Sequence, residues 1–309
     1  MEVCVLQDLF KDQENFWEIL GLPKNLSAED IDSITKTLAL ALYSEVGELV
    51  SATDYKSHRG ESFSPDPDKI LFESVDVVRY IIAILNLWSM SPDKFLSAWK
   101  AKDKYLKLSS ICENRVWNGE KVAIVDMDDV LCEFRICFSN WLLNSLNVHT
   151  DVNSSEYYFI DALEKTGLNP ESVFLDFIAD DGFLSLEPVN FAKDFMTSLK
   201  EMGYFVHILT ARPSDNLRCY YNTFEWLDSH DIPFDKIDFS SEKLRWCMKS
   251  NYWESSAISF AIDDSPKHAT EYEKHGVSVF SPRKSYNLEL ETLTDCTMYS
   301  DLNHLLNIL

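Results

Sequence analysis

The chain of 309 residues is long enough for two ordinary domains, and its 46% hydrophobic and 13% aromatic content excludes an intrinsically disordered protein. The formal net charge is −23, from 28 Lys and Arg against 51 Asp and Glu, and so acidic a surface repels long nucleic acids. A small phosphate compound is not excluded, because Mg²⁺ can bridge acidic side chains and phosphate oxygens.

The cysteines and the N-terminus indicate the compartment. The seven cysteines form no CxxC pair and cannot all pair with one another, which is typical of reduced thiols rather than of a disulfide scaffold or a zinc site. The first residues contain no basic region followed by an apolar core, so no signal peptide is expected. The richest apolar run, at 80–88, is too short to cross a bilayer. We expect a cytoplasmic protein with no membrane partner.

Residues 1–110 predict an all-α domain, because they contain little strand character. Helix boundaries are marked by a capping box at Ser27-Ala-Glu-Asp30, by prolines and by polar stretches. Four helices are predicted, at about 3–20, from 28 to beyond 50, up to about 89, and from 92 onward.

The third predicted helix is apolar on more than one side. Its apolar residues form two stripes, one of Leu71, Val75, Val78, Ile82 and Leu85 and one of Val77, Ile81, Ile84 and Trp88. Such a helix must be buried by several neighbours, and four helices provide few of them. We therefore expect a homodimer or a higher homo-oligomer formed through this domain.

Two pairs of acidic residues interrupt these helices. Glu45 and Glu48 fall on the stripe of the second helix that should face the interior, and Glu73 and Asp76 are three apart on the third. Burying such carboxylates costs several kcal/mol unless a cation compensates. For one pair alone, a solvated face is the better interpretation. Two pairs on apolar-flanked helices favour a Mg²⁺ site with open positions for phosphate oxygens and water.

This arrangement resembles the all-α nucleoside-triphosphate pyrophosphohydrolases, the MazG-like and dimeric dUTPase/dCTPase group, over residues 5–107. The segments that carry the likeness are KDQENFWEILG at 11–21, ESVDVVRY at 73–80 and MSPDKFL at 90–96. The resemblance implies that Glu45, Glu48, Glu73 and Asp76 hold Mg²⁺, and that water attacks the α-phosphate with a carboxylate, for which Glu48 is the candidate, as general base.

The same resemblance implies contacts with the nucleotide. Lys56 and Lys102 match phosphate-binding lysines, and Gln13 matches a contact with the base. For each lysine a solvated surface position is an equal alternative. The chain has Lys102-Asp103 where that family usually has Lys-Asn, and its segment 54–58 departs from the usual aromatic pattern, so the base preference stays open.

The remainder of the chain predicts an α/β domain at 120–309 after a linker at 111–119 that contains the turn Asn118-Gly119. Strands alternate with helices, which indicates a parallel sheet with helices on both faces. The strands are expected at 122–126, 204–210, 237–239, 258–263 and 277–280, with helices through 135–200 and at 216–229.

A second acidic set lies where these strands end. Asp126 and Asp128 follow the first strand, and Asp263 and Asp264 follow the fourth. The carboxyl ends of parallel strands are where an open sheet binds its ligands. Asp126 can attack phosphorus, Asp128 can protonate the leaving oxygen and later activate water, and Asp263 can hold Mg²⁺ together with Asp126 and the Asp128 backbone carbonyl, with Asp264 supporting them.

Thr210 and Lys243 complete this set. Thr210 ends the second strand and Lys243 follows the third, and both can hold phosphoryl oxygens whose charge must be stabilised. The alternative is that the acids only cap the helices that follow each strand. Four features in this order make that alternative the weaker one.

The order resembles the haloacid-dehalogenase (HAD) phosphatase superfamily over residues 120–285. VDMDDVL at 125–131 and GFLSLEP at 182–188 resemble the 5′(3′)-deoxyribonucleotidases. That likeness implies a helical cap at about 133–190, and it places Phe183 beside the substrate, although a packed core phenylalanine is an equal alternative. Asp129 stands where those enzymes commonly have Gly.

Together the two halves predict a bifunctional Mg²⁺-dependent nucleotide hydrolase. The first would convert a (d)NTP to (d)NMP and pyrophosphate, and the second would release phosphate from the (d)NMP through an aspartyl-phosphate, with small-molecule nucleotides as the partners. One alternative is a HAD polynucleotide end phosphatase, which the net charge disfavours. Another is a protein in which one or both acidic sets bind nucleotide without catalysis, for example a HAD nucleotidase with a non-catalytic helical domain.

Overall fold

The computed structural model describes residues 2–19, 26–53, 66–254 and 256–309. The chain divides into two compact units, Met1–Lys100 and Ala101–Leu309. The division falls about ten residues before the end of the predicted helical domain, inside the helix Pro92–Asn114.

The first unit is built from helices. They are α1 (Glu2–Ile19), α2 (Ala28–Ser51), α3 (Pro67–Leu87) and the first part of α4 (Pro92–Asn114). The capping box forms as predicted, since the Ser27 hydroxyl accepts the Asp30 N–H and the Asp30 carboxylate accepts the Ser27 N–H, both at 3.1 Å. The Asp66 carboxylate caps α3 by accepting the backbone N–H groups of Asp68 and Lys69 at 3.0 and 3.1 Å, and Pro67 lies in the first turn.

Much of the apolar surface of this unit is exposed. No residue of α2 is buried. Of the two predicted stripes on α3, Ile82 is buried, and the exposed members are Leu71, Val75, Val78, Ile81 and Trp88. The expectation that several neighbours bury this helix is therefore not met within one chain, because α1 and α2 cover only part of it.

The second unit contains a six-stranded sheet in which all hydrogen-bonded neighbours are parallel, in the order β3-β2-β1-β4-β5-β6. Its strands are β1 (Val122–Val125), β2 (Phe205–Thr210), β3 (Lys236–Phe239), β4 (Ile258–Ile262), β5 (Ser278–Pro282) and β6 (Cys296–Tyr299). Five of them match the predicted strands within a few residues, and β6 was not predicted.

Helices cover both faces of the sheet, as predicted. Along β1, Ala123 and Val125 belong to one buried cluster, and Val122 and Ile124 belong to another, as the two-residue period of a strand requires. The helices are α5 (Phe134–Leu146), α6 (Ile160–Lys165), α7 (Pro170–Ala179), α8 (Ala192–Glu201), α9 (Leu217–Ser229), α10 (Lys243–Met248), α11 (Asn251–Glu254), α12 (Pro266–Lys274) and α13 (Leu302–Ile308), with a short 3-10 helix at Leu288–Thr292.

The segment between β1 and β2 is largely helical and contains residues 133–190, for which a cap was predicted and which are called the cap region below. Aromatic rings of α5, α7 and the segment after α7 come together there; Phe134, for example, stacks on Phe183 at a centroid distance of 5.8 Å. The Trp226 indole N–H of α9 donates to the Leu186 carbonyl at 2.7 Å, which ties the returning chain to the sheet domain.

The second part of α4 packs within the second unit. Tyr105 lies 5.0 Å from the Phe224 ring of α9, and both Lys104 and Lys107 pair with Asp228. These contacts explain why the division precedes the predicted boundary. Residues 111–114, which the sequence assigned to the linker, form the last turn of α4.

No helix in the described part of the chain is both long and apolar enough to cross a membrane.

Candidate functional site

Strand pairing brings the predicted acids of the second unit together. Val125 of β1 pairs with Ile262 of β4, so the residues that follow each strand emerge side by side. Carboxylate oxygens of Asp126, Asp263 and Asp264 all lie within 4.8 Å of one another, and all three side chains are buried. The sequence predicted this cluster.

Lys243 lies inside the cluster, as predicted. It opens α10, and its ammonium is 2.7 Å from Asp126 Oδ1 and 2.8 Å from Asp263 Oδ2. Burial opposes its charge, but the carboxylates of Asp126 and Asp263 outweigh burial and raise the pKa of Lys243 above its ordinary value. Lys243 is therefore a permanent cation beside the candidate nucleophile.

The two acids after β4 occupy different positions. Asp263 is held on both oxygens, by Lys243 and by the backbone N–H of Ser265 at 3.0 Å. Asp264 lines a cavity of about 350 Å³ and accepts a hydrogen bond from the Tyr286 hydroxyl at 2.6 Å. The geometry favours the reverse of the predicted roles, with Asp264 facing the ligand space and Asp263 orienting Lys243.

The donor set fits a divalent cation. Burial, followed by the neighbouring carboxylates of Asp263 and Asp128, raises the pKa of Asp126 to about 6 against the opposing effect of Lys243. Burial and the carboxylates of Asp126, Asp129 and Asp263 raise the pKa of Asp264 well above its ordinary value. The excess of negative charge and the hard oxygen donors are what Mg²⁺ stabilises in proteins.

Asp128 is held by an arginine that the sequence analysis did not single out. The Arg212 guanidinium is fully buried, with Nη2 2.7 Å from Asp128 Oδ1 and Nε 3.0 Å from Asp128 Oδ2. Thr210 is buried at the end of β2, and its hydroxyl accepts the Arg212 backbone N–H at 3.3 Å. The available signal was the spacing Thr210-Ala-Arg212, which places the arginine at the same sheet edge.

Aromatic rings of the cap region form much of the cavity wall. The polar part of the lining includes Asp126, Asp128, Lys243 and Asp264, and the aromatic part consists of Phe134, Tyr157, Tyr158, Phe174, Phe183 and Tyr286. Phe183, the predicted substrate contact, lines the cavity but is only 2% exposed. The Arg212 guanidinium lies 4.4 Å from its ring centroid, so the ring also has a structural contact.

Asp129 replaces the glycine of the resembling enzymes at a strained backbone position, with φ of 55°. Its carboxylate accepts the Arg135 backbone N–H at 3.1 Å, and at 3.2 Å it shares the Tyr286 hydroxyl proton with the shorter bond to Asp264. Burial raises the pKa of Asp129 to about 6. These bonds stabilise a conformation that glycine adopts without strain.

His268 is a further cavity residue that the sequence did not indicate. It lies in the first turn of α12 and is buried. Burial, followed by the Lys243 charge, lowers the pKa of His268 to about 4. The imidazole is therefore neutral at physiological pH.

Three of the four predicted acids of the first unit come together, in a more exposed setting, and Asp76 is not among them. Carboxylate oxygens of Glu45, Glu48 and Glu73 lie within 4.8 Å of one another, and Glu48 is exposed. Desolvation, followed by the charges of Glu48, Asp76 and Glu73, raises the pKa of Glu45. Asp76 lines a cavity of about 560 Å³ together with Glu45.

Gln13 lies in this second cavity, as a base contact would require. It is buried on α1, and its Oε1 accepts a bond of 3.4 Å from Arg79 Nε. The Arg79 guanidinium lies 4.9 Å from the Phe16 ring, and both residues line the cavity. Nothing in the sequence indicated that Arg79 and Phe16 line this cavity beside Gln13.

The predicted phosphate-binding lysines are less informative. Lys56 lies outside the described residues. Lys102 donates to the Tyr221 hydroxyl at 2.5 Å, and its ammonium lies 4.7 Å from the Tyr221 ring centroid. These contacts place Lys102 in the packing of α4 on α9, and its role as a phosphate contact stays a prediction.

Comparisons with known proteins give only distant likenesses. No protein-family model matches the chain, and no curated protein matches it. Among solved structures, it is similar to a Clostridium difficile protein thought to be a phosphatase, with 14% identity and a TM-score of 0.46 over 62% of this chain and 99% of that one. A predicted phosphatase from Clostridium acetobutylicum gives 14% and 0.45 over 61% and 98%. A haloacid dehalogenase-like hydrolase from Streptococcus pneumoniae gives 12% and 0.44 over 62% and 100%. The interpretation of the site therefore depends on its own geometry.

Proposed function

We propose that the second unit is a Mg²⁺-dependent phosphatase of the HAD type that acts on nucleoside monophosphates. The observation that carries the proposal is the buried cluster at the carboxyl edge of the sheet, where Asp126 contacts Lys243 and lies beside Asp264. Asp128 follows two residues later and lines the same cavity. A nucleophile, a proton donor, a fixed cation and a cation-binding carboxylate in one cavity are the groups that phosphoryl transfer requires.

The chemistry follows from these positions. An Asp126 carboxylate oxygen attacks phosphorus, the bond from phosphorus to the leaving oxygen breaks, and Asp128 passes its proton to that oxygen. Water then attacks the aspartyl-phosphate, Asp128 accepts the proton of the water, and the bonding pair returns to Asp126. Lys243 neutralises phosphoryl charge throughout.

A divalent cation fits the carboxylates. Asp126, Asp264 and the Asp128 carbonyl would hold Mg²⁺, which when bound supplies charge neutralisation at the phosphoryl oxygens. Asp263 would keep Lys243 oriented.

The size and lining of the cavity favour a small substrate. Its volume is about 350 Å³, and aromatic rings of the cap region line it above the acids. Pockets that hold small ligands are of this order of size, with apolar walls and few polar groups. The aromatic rings supply stacking surfaces for a nucleobase. The alternative of a polynucleotide end phosphatase would need a basic track for the strand, which the net charge of −23 disfavours.

We propose further that the first unit hydrolyses nucleoside triphosphates to monophosphates and pyrophosphate. Glu45, Glu48 and Glu73 supply hard oxygen ligands, and Gln13 lies in the cavity that Glu45 and Asp76 border. The two reactions would then be consecutive, and joining them in one chain raises the local concentration of the intermediate. A unit that only binds nucleotide is the second candidate, favoured by the exposure of Glu48.

We propose that two copies associate through the first unit. Exposed apolar residues of this unit include Leu40 and Tyr43 of α2 and Leu71 and Phe72 of α3. Apolar surface of this extent is typical of an interface. Sedimentation at micromolar concentration tests the proposal, and a strictly monomeric protein would reject it.

One assay tests both activities. The protein is incubated with Mg²⁺ and panels of (d)NTPs, (d)NMPs and 3′-phosphorylated oligonucleotides, and pyrophosphate and orthophosphate are resolved. Asp126→Asn should abolish orthophosphate release from (d)NMPs and leave pyrophosphate release from (d)NTPs unchanged. Glu48→Gln should abolish pyrophosphate release from (d)NTPs and leave orthophosphate release from added (d)NMPs unchanged. Orthophosphate release that survives Asp126→Asn would reject the assigned nucleophile, and triphosphate binding without pyrophosphate release would favour the second candidate.

A further inference from the structure

The contacts of Arg212 distinguish the two oxygens of Asp128. Oδ1 receives Arg212 Nη2 at 2.7 Å, Arg212 Nε at 3.2 Å and the Cys132 thiol at 3.3 Å. Oδ2 receives only Arg212 Nε, at 3.0 Å. The Cys132 S–H also lies 3.4 Å from the Met127 carbonyl, so the Arg212 fork gives each oxygen one firm bond. Oδ2 has fewer donors around it than Oδ1 and is therefore the oxygen with room for a proton.

Arg212 is itself held from several sides. Its Nη1 donates to the Thr223 hydroxyl at 3.0 Å, and its Nη2 also contacts Cys132 Sγ at 3.3 Å. A guanidinium has five N–H groups. Four of them are therefore engaged in the protein, at Nε, at Nη1 and twice at Nη2. After these contacts within the described part of the chain, only the second N–H of Nη1 is left for a direct contact with substrate phosphate.

The segment that carries the ring beneath the guanidinium is tied to α9. Asp181, two residues before Phe183, accepts two bonds of 2.6 Å from Arg218 and one of 2.8 Å from Asn222. Both donors belong to α9, the same helix that supplies Thr223. Helix α9 thus holds both this segment and, through Thr223, the guanidinium that rests on the ring.

We propose that Arg212 is the positioning residue of the leaving-group proton donor: it orients Asp128 so that Oδ2 carries the proton to the leaving oxygen. The inference rests on the proposed phosphatase function. When the bond from phosphorus to the leaving oxygen breaks, the proton on Oδ2 moves to that oxygen and Asp128 becomes a carboxylate. Arg212 stabilises this new negative charge, and its fork keeps Oδ2 directed to the cavity for the return of a proton from water.

A positioning role predicts that the effect of a substitution depends on the leaving group, whereas a merely structural role does not. A nucleoside leaves as a poor, strongly basic alkoxide and requires the proton, whereas p-nitrophenolate leaves without one. The ratio kcat/KM reports the steps up to formation of the aspartyl-phosphate when that step is irreversible. A misplaced Asp128 should therefore lower kcat/KM for the nucleotide and spare the aryl phosphate.

The experiment compares Arg212→Lys with the wild-type protein on both compounds. General acid catalysis contributes about 10²–10⁴-fold. The lysine keeps the positive charge and loses the fork, so we expect kcat/KM for the nucleoside 5′-monophosphate to fall about 100-fold and that for p-nitrophenyl phosphate to fall less than about 3-fold. Asp128→Asn calibrates the pattern and should show the same selectivity with a larger loss.

Two further variants protect the test against misfolding. Thr223→Val removes the distal anchor of Arg212 but leaves its bonds to Asp128, and it should give the same selectivity with a smaller loss. Ser139→Ala breaks the Ser139–Thr150 hydrogen bond of the cap region and should affect both compounds equally. Equal losses on both compounds in Arg212→Lys and Thr223→Val would overturn the positioning role. A wild-type protein inactive on both compounds would instead reject the proposed function.

Discussion

The two acidic clusters use similar ligands in opposite surroundings. In the second unit, called the sheet unit below, Asp126 and Asp263 are buried and share the ammonium of Lys243. In the first unit, called the helical unit below, Glu48 is exposed and α2 contributes no buried residue. Strand ends of a closed core fix the first cluster, whereas the second lies on a helix surface that one chain does not cover.

The two clusters differ in how their negative charge is stabilised without a metal ion. The sheet unit stabilises part of its negative charge before any ion binds, because Lys243 and Arg212 are already in place. In the helical unit, solvent screens the repulsion between Glu45 and Glu48, and under the proposed function a bound cation would replace that screening. Substitutions that remove charge should therefore have very different effects on the two folds.

The largest contrast is expected between Lys243→Met and Glu48→Gln. Loss of the ammonium leaves two buried carboxylates without their partner, which should lower the unfolding free energy of the sheet unit by about 3–5 kcal/mol. Hydrogen exchange of the β1 amides measures this unit by itself. Glu48→Gln relieves repulsion between exposed groups and should leave the stability of α2 unchanged or slightly improved. Equal changes in unfolding free energy would show that charge is stabilised in the same way in the two clusters.

A pH series on Asp126→Asn gives the next contrast. A carboxyl group with a higher pKa in the folded chain binds its proton more tightly there, so it destabilises the fold once the pH exceeds its unfolded value. The pKa of Asp126 rises from 3.8 to about 6. Without Mg²⁺, the variant should match the wild type near pH 4 and become more stable as the pH rises to 7, by at most about 3 kcal/mol. Urea midpoints at each pH measure the difference, and a constant offset would contradict the cause.

Two glycines provide the smallest contrast. A Cβ on Gly182 would overlap the Phe177 ring, so Gly182→Ala should cost about 1–3 kcal/mol and displace the neighbouring Phe183. A Cβ on Gly47 of α2 meets nothing within 4 Å, so Gly47→Ala should stabilise the helical unit by about 0.5–1 kcal/mol. Thermal unfolding of each variant checks the signs. If Gly182→Ala leaves the thermal stability unchanged, the Phe177 ring is able to move aside.

The sequence predicted what depends on local pattern. Asp126 and Asp263 follow short apolar runs, and the rule that parallel strands end at one edge was enough to place them with Lys243. The capping box at Ser27 was equally local. Both features depend on residues that are close in sequence or on a general property of parallel sheets.

The remaining features depend on tertiary packing. That Asp264, and not Asp263, faces the cavity follows from Tyr286, which lies far along the chain. The spacing Thr210-Ala-Arg212 placed the arginine at the sheet edge, but only the folded contact shows that it holds Asp128. Strand β6 has a half-buried pattern without a continuous apolar run, so it resembles a loop in the sequence.

The central place of β1 has a consequence for synthesis on the ribosome. β1 is translated first, yet its sheet neighbours β2 and β4 and the lysine that opens α10 emerge much later. Until then its apolar residues and the acids behind them have no native partner. Parallel strands whose partners are far apart in sequence pair slowly, and the intermediates expose apolar surface that promotes aggregation. We therefore expect the nascent sheet unit to depend on chaperones during translation.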